Sequence, residues 1–171
     1  MPLRPPLAEG QGSSLAGLYP DRKKIRFNPE TYALPGSICS ITFCSAGHAV
    51  IFSDPAFSRA CVSLLVSRAG ASGVSIHAYC FMPDHVHLLI SPSSTVAIVD
   101  FVRDFKSRST RLARQYGCKG AVWQTSYYDH FLRKDDDVRV AVDYILNNPV
   151  RKGIVDEWRQ YPLSGSLVYE L

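Results

Sequence analysis

The sequence predicts an α+β sandwich in which helices cover one face of an antiparallel sheet. Three observations predict it. Apolar, β-branched runs of strand length alternate with segments of helical period, in the order strand, helix, strand, strand, helix, strand. The composition, 46% hydrophobic and 20% charged over 171 residues, supplies apolar material for one real core and excludes a disordered or fibrous chain. No internal repeat and no convincing linker divides the chain, so a single domain is the economical arrangement.

Residues 1–36 read as a flexible or extended leader to a domain over residues 37–171. Pro2, Pro5, Pro6, Gly10, Gly12 and Gly17 interrupt any periodicity there, and Arg22, Lys23, Lys24 and Arg26 form a basic run suited to a solvated arm. After the turn signal Pro35-Gly36, residues 38–44 are apolar and β-branched enough for a strand. Ser53 or Asp54 caps a helix running to about Arg68, with Phe57, Cys61, Leu64 and Leu65 at helical spacing and Gly70 and Gly73 closing it. Residues 74–82 and 84–90 read as two strands joined or kinked at Pro83, whose missing N–H argues against one unbroken central strand. Residues 96–116 suit a helix with Val96, Val99, Phe101, Val102, Phe105 and Leu112 on its apolar side, ended by Gly117. A last strand is expected at 127–132. A helix follows at 135–148, with acidic residues in its first turn and Pro149 marking its end. This order is that of a ferredoxin-like or RRM-like sandwich, with the final helix as a separate C-terminal element.

Composition also bounds location and partners. The apolar stretches 38–44 and 138–146 are too short or too interrupted to cross a bilayer, and residues 1–14 lack the apolar core of a secretory signal. A cytoplasmic protein with no membrane partner is expected. Five cysteines at irregular spacings point to reduced, mostly buried thiols rather than a disulfide framework or a metal site. A net charge of +4 is compatible with a polyanion but identifies none.

Two segments carry chemistry. In Pro83-Asp84-His85-Val86-His87-Leu88-Leu89-Ile90 the two histidines stand two apart on a strand, so both project from one face while Val86, Leu88 and Ile90 point into a core. Neutral imidazoles so placed suit a divalent metal, although exposed cross-strand histidines of the same spacing are ordinary. In Tyr144-Ile145-Leu146-Asn147-Asn148, Tyr144 and Asn148 lie four apart and share a helix face. That segment alone favours an ordinary amphipathic helix with a half-buried tyrosine and a polar C-terminal asparagine before Pro149.

These residues, with Trp123-Gln124, Tyr128-Asp129-His130, Arg133, the run from Asn148-Pro149-Val150-Arg151-Lys152-Gly153 to Ile154-Val155, Trp158 and Tyr161-Pro162, occur in an order that resembles the single-tyrosine HUH transposases of the IS200-like group, and more closely the REP-associated tyrosine transposases, over residues 37–166. The resemblance implies that His85 and His87 are the metal pair and act in catalysis. It further implies that Tyr144 is the nucleophile and that Asn148 completes the metal site, where better-known members usually carry Gln. It implies Mg²⁺ or Mn²⁺ as cofactor, single-stranded or hairpin DNA as substrate, residence at the nucleoid, and leaves a homodimer open.

The chemistry is consistent. Neutral ligands would leave the cation's full charge to polarise a phosphodiester oxygen, and a phenol of pKa about 10 needs such help to act near neutrality. Attack by Tyr144 would give a 5′-phosphotyrosine and a 3′-hydroxyl. Lys106, Arg108, Arg111, Arg114, Arg133, Arg151 and Lys152 are candidates for phosphate contact or for solvated helix faces. Trp123 and Tyr127 are candidates for stacking on bases or for the core, and Asp129 and His130 for positioning the nucleophile or a DNA base, although packing is the commoner role of such a strand histidine. Two other functions compete: a metal-dependent phosphodiesterase using water, and a domesticated hairpin-binding protein without transposition.

Overall fold

The computed structural model describes residues 28–170. Its sheet contains β1 (Cys39–Cys44), β2 (Ser75–Met82), β3 (His85–Ser91), β4 (Tyr128–Phe131) and the two-residue β5 (Ser164–Gly165), in the spatial order β4-β1-β3-β2-β5 with every neighbour antiparallel. The α+β sandwich read from the sequence is thus the observed architecture. Pro83 and Asp84 form the tight turn between β2 and β3, since Met82 pairs directly with His85. Both turn carbonyls are held, Asp84 O by Ser45 N at 2.8 Å and Pro83 O by Phe52 N at 3.0 Å, so the turn that leads into the histidine strand is fixed from outside.

Helices α1 (Pro55–Ser72) and α2 (Ile98–Gln115) cover one face. Asp54 caps α1 by accepting from Ala56 N and Phe57 N. The helix runs through Gly70 and stops at Gly73, whose φ of 69° is left-handed and returns its N–H to Ala69 O. Between these helices and the sheet lies the larger core, in which Ile41 and Phe43 of β1, Phe81 of β2, Val86, Leu88 and Ile90 of β3 and Phe105 of α2 are fully buried. The alternation along β3 that predicted an inward Val86, Leu88 and Ile90 is what the structure has. Arg68 of α1 and Arg108 of α2 both pair with Asp104 at 2.8 Å.

The other face carries a smaller core of Ala78, Cys80, Met82 and Leu89 covered by α3 (Val138–Leu146) through Val142, Ile145 and Leu146. Here the chain departs from the sequence reading in two ways. Of the acidic run 135–137, none enters the helix: Asp137 caps it from outside by accepting from Arg139 N. Second, α3 stops at Leu146, ahead of Pro149 as expected, but Pro149 does not end helical structure. It occupies the first turn of a further short helix, α4 (Asn148–Arg151), where its missing N–H costs nothing within the new turn. That missing N–H does deprive Ile145 O of its usual partner, and Asn148 Nδ2 donates instead to Ile145 O at 3.3 Å and to Tyr144 O at 3.0 Å.

The domain also begins before residue 37. Pro29–Ala33 form a 3-10 turn that sets Tyr32, 3% exposed, into the larger core against Phe131, with its hydroxyl donating to Asp129. An aromatic ring with a partner for its hydroxyl repays ordering a segment that has no periodicity of its own. The basic run at 22–26 lies outside the described residues. Among the described residues the five cysteines are free thiols, four of them buried, and no helix is long and apolar enough to cross a membrane.

Candidate active site

His85 and His87 project from the face that α3 covers, beside Leu89. Their Nε2 atoms converge to 3.0 Å, and each ring is held from behind. His85 Nδ1 lies 2.6 Å from Asp84 Oδ1, and His87 Nδ1 lies 2.7 Å from Thr42 Oγ1, the residue paired with it on β1. A carboxylate can only accept, so His85 Nδ1 carries a proton and donates it to Asp84. The Thr42 hydroxyl serves either tautomer of His87. Asp84 reaches a third imidazole, His48 Nδ1, at 3.1 Å. Burial works against its charged form, but the hydrogen bonds from His85 and His48 outweigh that and hold its carboxyl below the usual range. His87 is shifted down by burial, with His85 and Arg151 adding to the effect, so it is neutral and suited to ligation near pH 7.

The spacing of the two nitrogens tests the fit to a metal. Neighbouring ligands at right angles, each about 2.1 Å from one ion, stand about 3.0 Å apart. The observed 3.0 Å between the Nε2 atoms is that separation. Orienting partners on both Nδ1 atoms complete the usual arrangement of ligating histidines. Among the described residues no cluster of three or more His, Cys, Asp or Glu side chains offers an alternative site. A further ligand to the histidine pair from among the described residues would be of another type, such as a carboxamide.

Tyr144 sits in the last turn of α3, half buried, with the Arg151 guanidinium 4.2 Å from its ring centroid. The same Arg151 is close enough to His87 to disfavour its protonation. One cation thus neighbours both the tyrosine and the histidine pair, and α4 exists to place it: the chain turns at Asn147 and brings Arg151 back over the ring. Asn148 is buried, and with its Nδ2 given to the helix backbone only Oδ1 can meet a cation.

The candidate phosphate contacts divide. Arg151 and Lys152 follow the tyrosine helix and are exposed, and Arg133 is exposed after β4. Lys106, Arg108 and Arg111 belong to α2, which covers the opposite face of the sheet. Of these, Lys106 Nζ is half buried and donates to Gln124 O at 2.6 Å, Arg108 is paired with Asp104, and Arg111 is exposed. Trp123 and Tyr127 pack on the larger core, Trp123 with its indole N–H on Ser109 Oγ at 3.0 Å. Tyr128, by contrast, is 56% accessible and lies opposite Thr42, which in turn is opposite His87. Sequence reasoning did not single it out as a platform. The signal was its register, which places it on the histidine face.

A family model described as transposase, IS200-like, matches residues 38–148. The chain is 31% identical over 93 residues to a REP-associated tyrosine transposase of Escherichia coli, covering 52% of each. It is 29% identical over 98 residues to a Haemophilus influenzae protein provisionally named a REP-associated tyrosine transposase, covering 51% of this chain and 56% of that one. The chain therefore spans about half the length of the curated relatives it matches. A solved REP-associated tyrosine transposase bound to a REP hairpin is similar in fold, with a TM-score of 0.63 at 24% identity over 78% of each chain.

Proposed function

Since the chain belongs to the IS200-like transposase family, we propose that it cleaves and rejoins single-stranded, hairpin-associated DNA through a 5′-phosphotyrosine at Tyr144, working on nucleoid DNA in the cytoplasm. The observation that carries this reading is the convergence of His85 and His87 at 3.0 Å with Arg151 joining them to the Tyr144 ring. The hairpin in the fold relative's complex supports the choice of substrate.

His85 and His87 would hold Mg²⁺ or Mn²⁺ through their Nε2 atoms, with the Asn148 Oδ1 as a third protein ligand. Bound there, the cation supplies Lewis acidity to a non-bridging oxygen of the scissile phosphate. Asp84 and Thr42 fix the rings so that no reorientation is needed when substrate arrives. Tyr144 Oη attacks phosphorus as its proton leaves to solvent, the bond to the 3′-oxygen breaks, and that oxygen takes up a proton to become a 3′-hydroxyl. Arg151 offers a fixed positive charge to the phosphate beside the tyrosine ring. Rejoining is the same step reversed with a different 3′-hydroxyl, so no nucleotide cofactor enters. Tyr128, on the same sheet face, gives an unpaired base a ring to stack on.

The test is cleavage of a labelled hairpin with single-stranded flanks in Mn²⁺. Wild type should nick it, and His87→Ala or a chelator should lower the rate by at least 100-fold while the variant remains folded. Equal cleavage of blunt random duplex, or full activity of His87→Ala, would contradict the proposal.

A further inference from the structure

Beside Tyr144 a pocket of about 240 Å³ opens between β4 and α3. Leu132, Val140 and Ile145 give it apolar walls, and His130 and Ser40, paired across β4 and β1, form its floor. Ser40 is only 7% exposed as a residue, and since no buried side-chain polar atom among the described residues lacks a partner, its hydroxyl is open to the cavity rather than sealed in the wall. It can there give one hydrogen bond to, or accept one from, a molecule in the pocket. At the rim, Asp136 and Asp137 each give one carboxylate oxygen to a backbone N–H, of Arg133 at 2.7 Å and Arg139 at 2.8 Å, which fixes the side chains and leaves each a second accepting oxygen. Exposed Asp135 adds a third negative charge.

From these features we infer that the pocket receives a nucleobase, that of the nucleotide whose 5′-phosphate becomes joined to Tyr144. The inference rests on the transposase reading above for the identity of that nucleotide. Three charges of one sign at the rim exclude a phosphate, so the backbone stays outside, on the Arg151 side of the tyrosine. A planar base satisfies the apolar walls, and its edge offers hydrogen-bond partners to the Ser40 hydroxyl and the free aspartate oxygens. Carboxylates accept from exocyclic amines, so cytosine, adenine or guanine is preferred over thymine, which has none. The nucleophile itself lines the pocket. Seating the base would therefore index the scissile phosphate against Tyr144 before the chemistry, a positioning effect.

The experiment scans an abasic site along the single-stranded flank and measures two things: DNA affinity in chelator, where no cleavage occurs, and adduct formation in Mn²⁺. In wild type, removing the base immediately 3′ of the scissile phosphate should weaken binding and lower adduct-forming kcat/KM by about 10-fold or more, and thymine there should behave nearly as badly. Val140→Trp, at an exposed position of the wall, should impose the same loss on intact DNA and no further loss on the abasic strand. Adduct formation that ignores both the abasic site and the filled pocket, or two losses that multiply, would overturn the inference while leaving the transposase reading in place. Base-dependent binding that Val140→Trp abolishes, without any adduct, would support the pocket and remove the covalent chemistry.

Discussion

Asn148 does two jobs that one pair of substitutions separates. Its Nδ2 makes two hydrogen bonds, 3.0 Å to Tyr144 O and 3.3 Å to Ile145 O, the second of which stands in for the N–H that Pro149 lacks. At about 1 kcal/mol net for each bond, Asn148→Ala should destabilise the fold by about 2 kcal/mol. For a domain of this size that lowers Tm by about 4–8 °C. Asn148→Asp also deletes the donor and sets a carboxylate against the two helix carbonyls, so without metal its Tm should fall at least as far. It keeps an oxygen for a cation, however, and Mn²⁺ should raise the Tm of the Asp variant by more than that of the Ala variant. Thermal unfolding with and without Mn²⁺ reads both effects. An unchanged Tm for Asn148→Ala would refute the capping role. A Tm for Asn148→Asp that ignores Mn²⁺ while the wild type responds would remove Asn148 from the metal site.

Thr42→Val removes the hydroxyl that orients His87 and little else, so Mn²⁺ affinity by calorimetry should fall about 10- to 100-fold with Tm nearly unchanged; equal affinity would show that the strand alone aims the ring. Acid should loosen the helical layer. Burial raises the carboxyl of Asp104, but its hydrogen bonds from Arg108 and Arg68 outweigh this and depress it, so the bridge contributes stability above the unfolded carboxylate pKa and loses it as pH falls through the lower folded value. A double-mutant cycle of Asp104→Ala with Arg68→Ala should give a coupling of about 0.2–1 kcal/mol at pH 7 and none at pH 2; coupling that persists in acid would exclude the ion pair as its source.

Much of the fold was legible because burial imposes a period on sequence. The alternation from His85 to Ile90 has one face in a core, and that alternation by itself sets the direction of both histidines. Asp54 and Gly73 announced α1 by side-chain chemistry that acts locally. Features that depend on contacts distant in sequence were not legible. Tyr32 lies among residues without period and is ordered by Phe131 and Asp129, nearly a hundred positions away. The acidic run 135–137 satisfied the dipole rule for a first turn, yet only the turn geometry decides that Asp137 caps from outside. Pro149 was read as a stop because a proline forbids continuation of the same helix, while the structure begins a new one there. That restart could not be foreseen without the Asn148 side chain bridging the gap, and with it came the placement of Arg151 over Tyr144. The two-residue β5 is too short to have a period, and Gly165 is there because a Cβ would meet the Tyr79 hydroxyl at 2.9 Å.

The central claim is that Tyr144 is the nucleophile, and the most direct measurement is the mass of the DNA-linked peptide after cleavage. Hairpin DNA with single-stranded flanks would be incubated with the protein and Mn²⁺, digested with nuclease and protease, and the remaining nucleotide located by fragmentation. The account predicts a 5′-nucleotide on Tyr144, its absence in Tyr144→Phe, and Mn²⁺ binding by that variant equal to wild type. A nucleotide on Tyr128, an adduct that survives Tyr144→Phe, or cleavage at the normal rate with no adduct would contradict it, the last of these in favour of water as the attacking group.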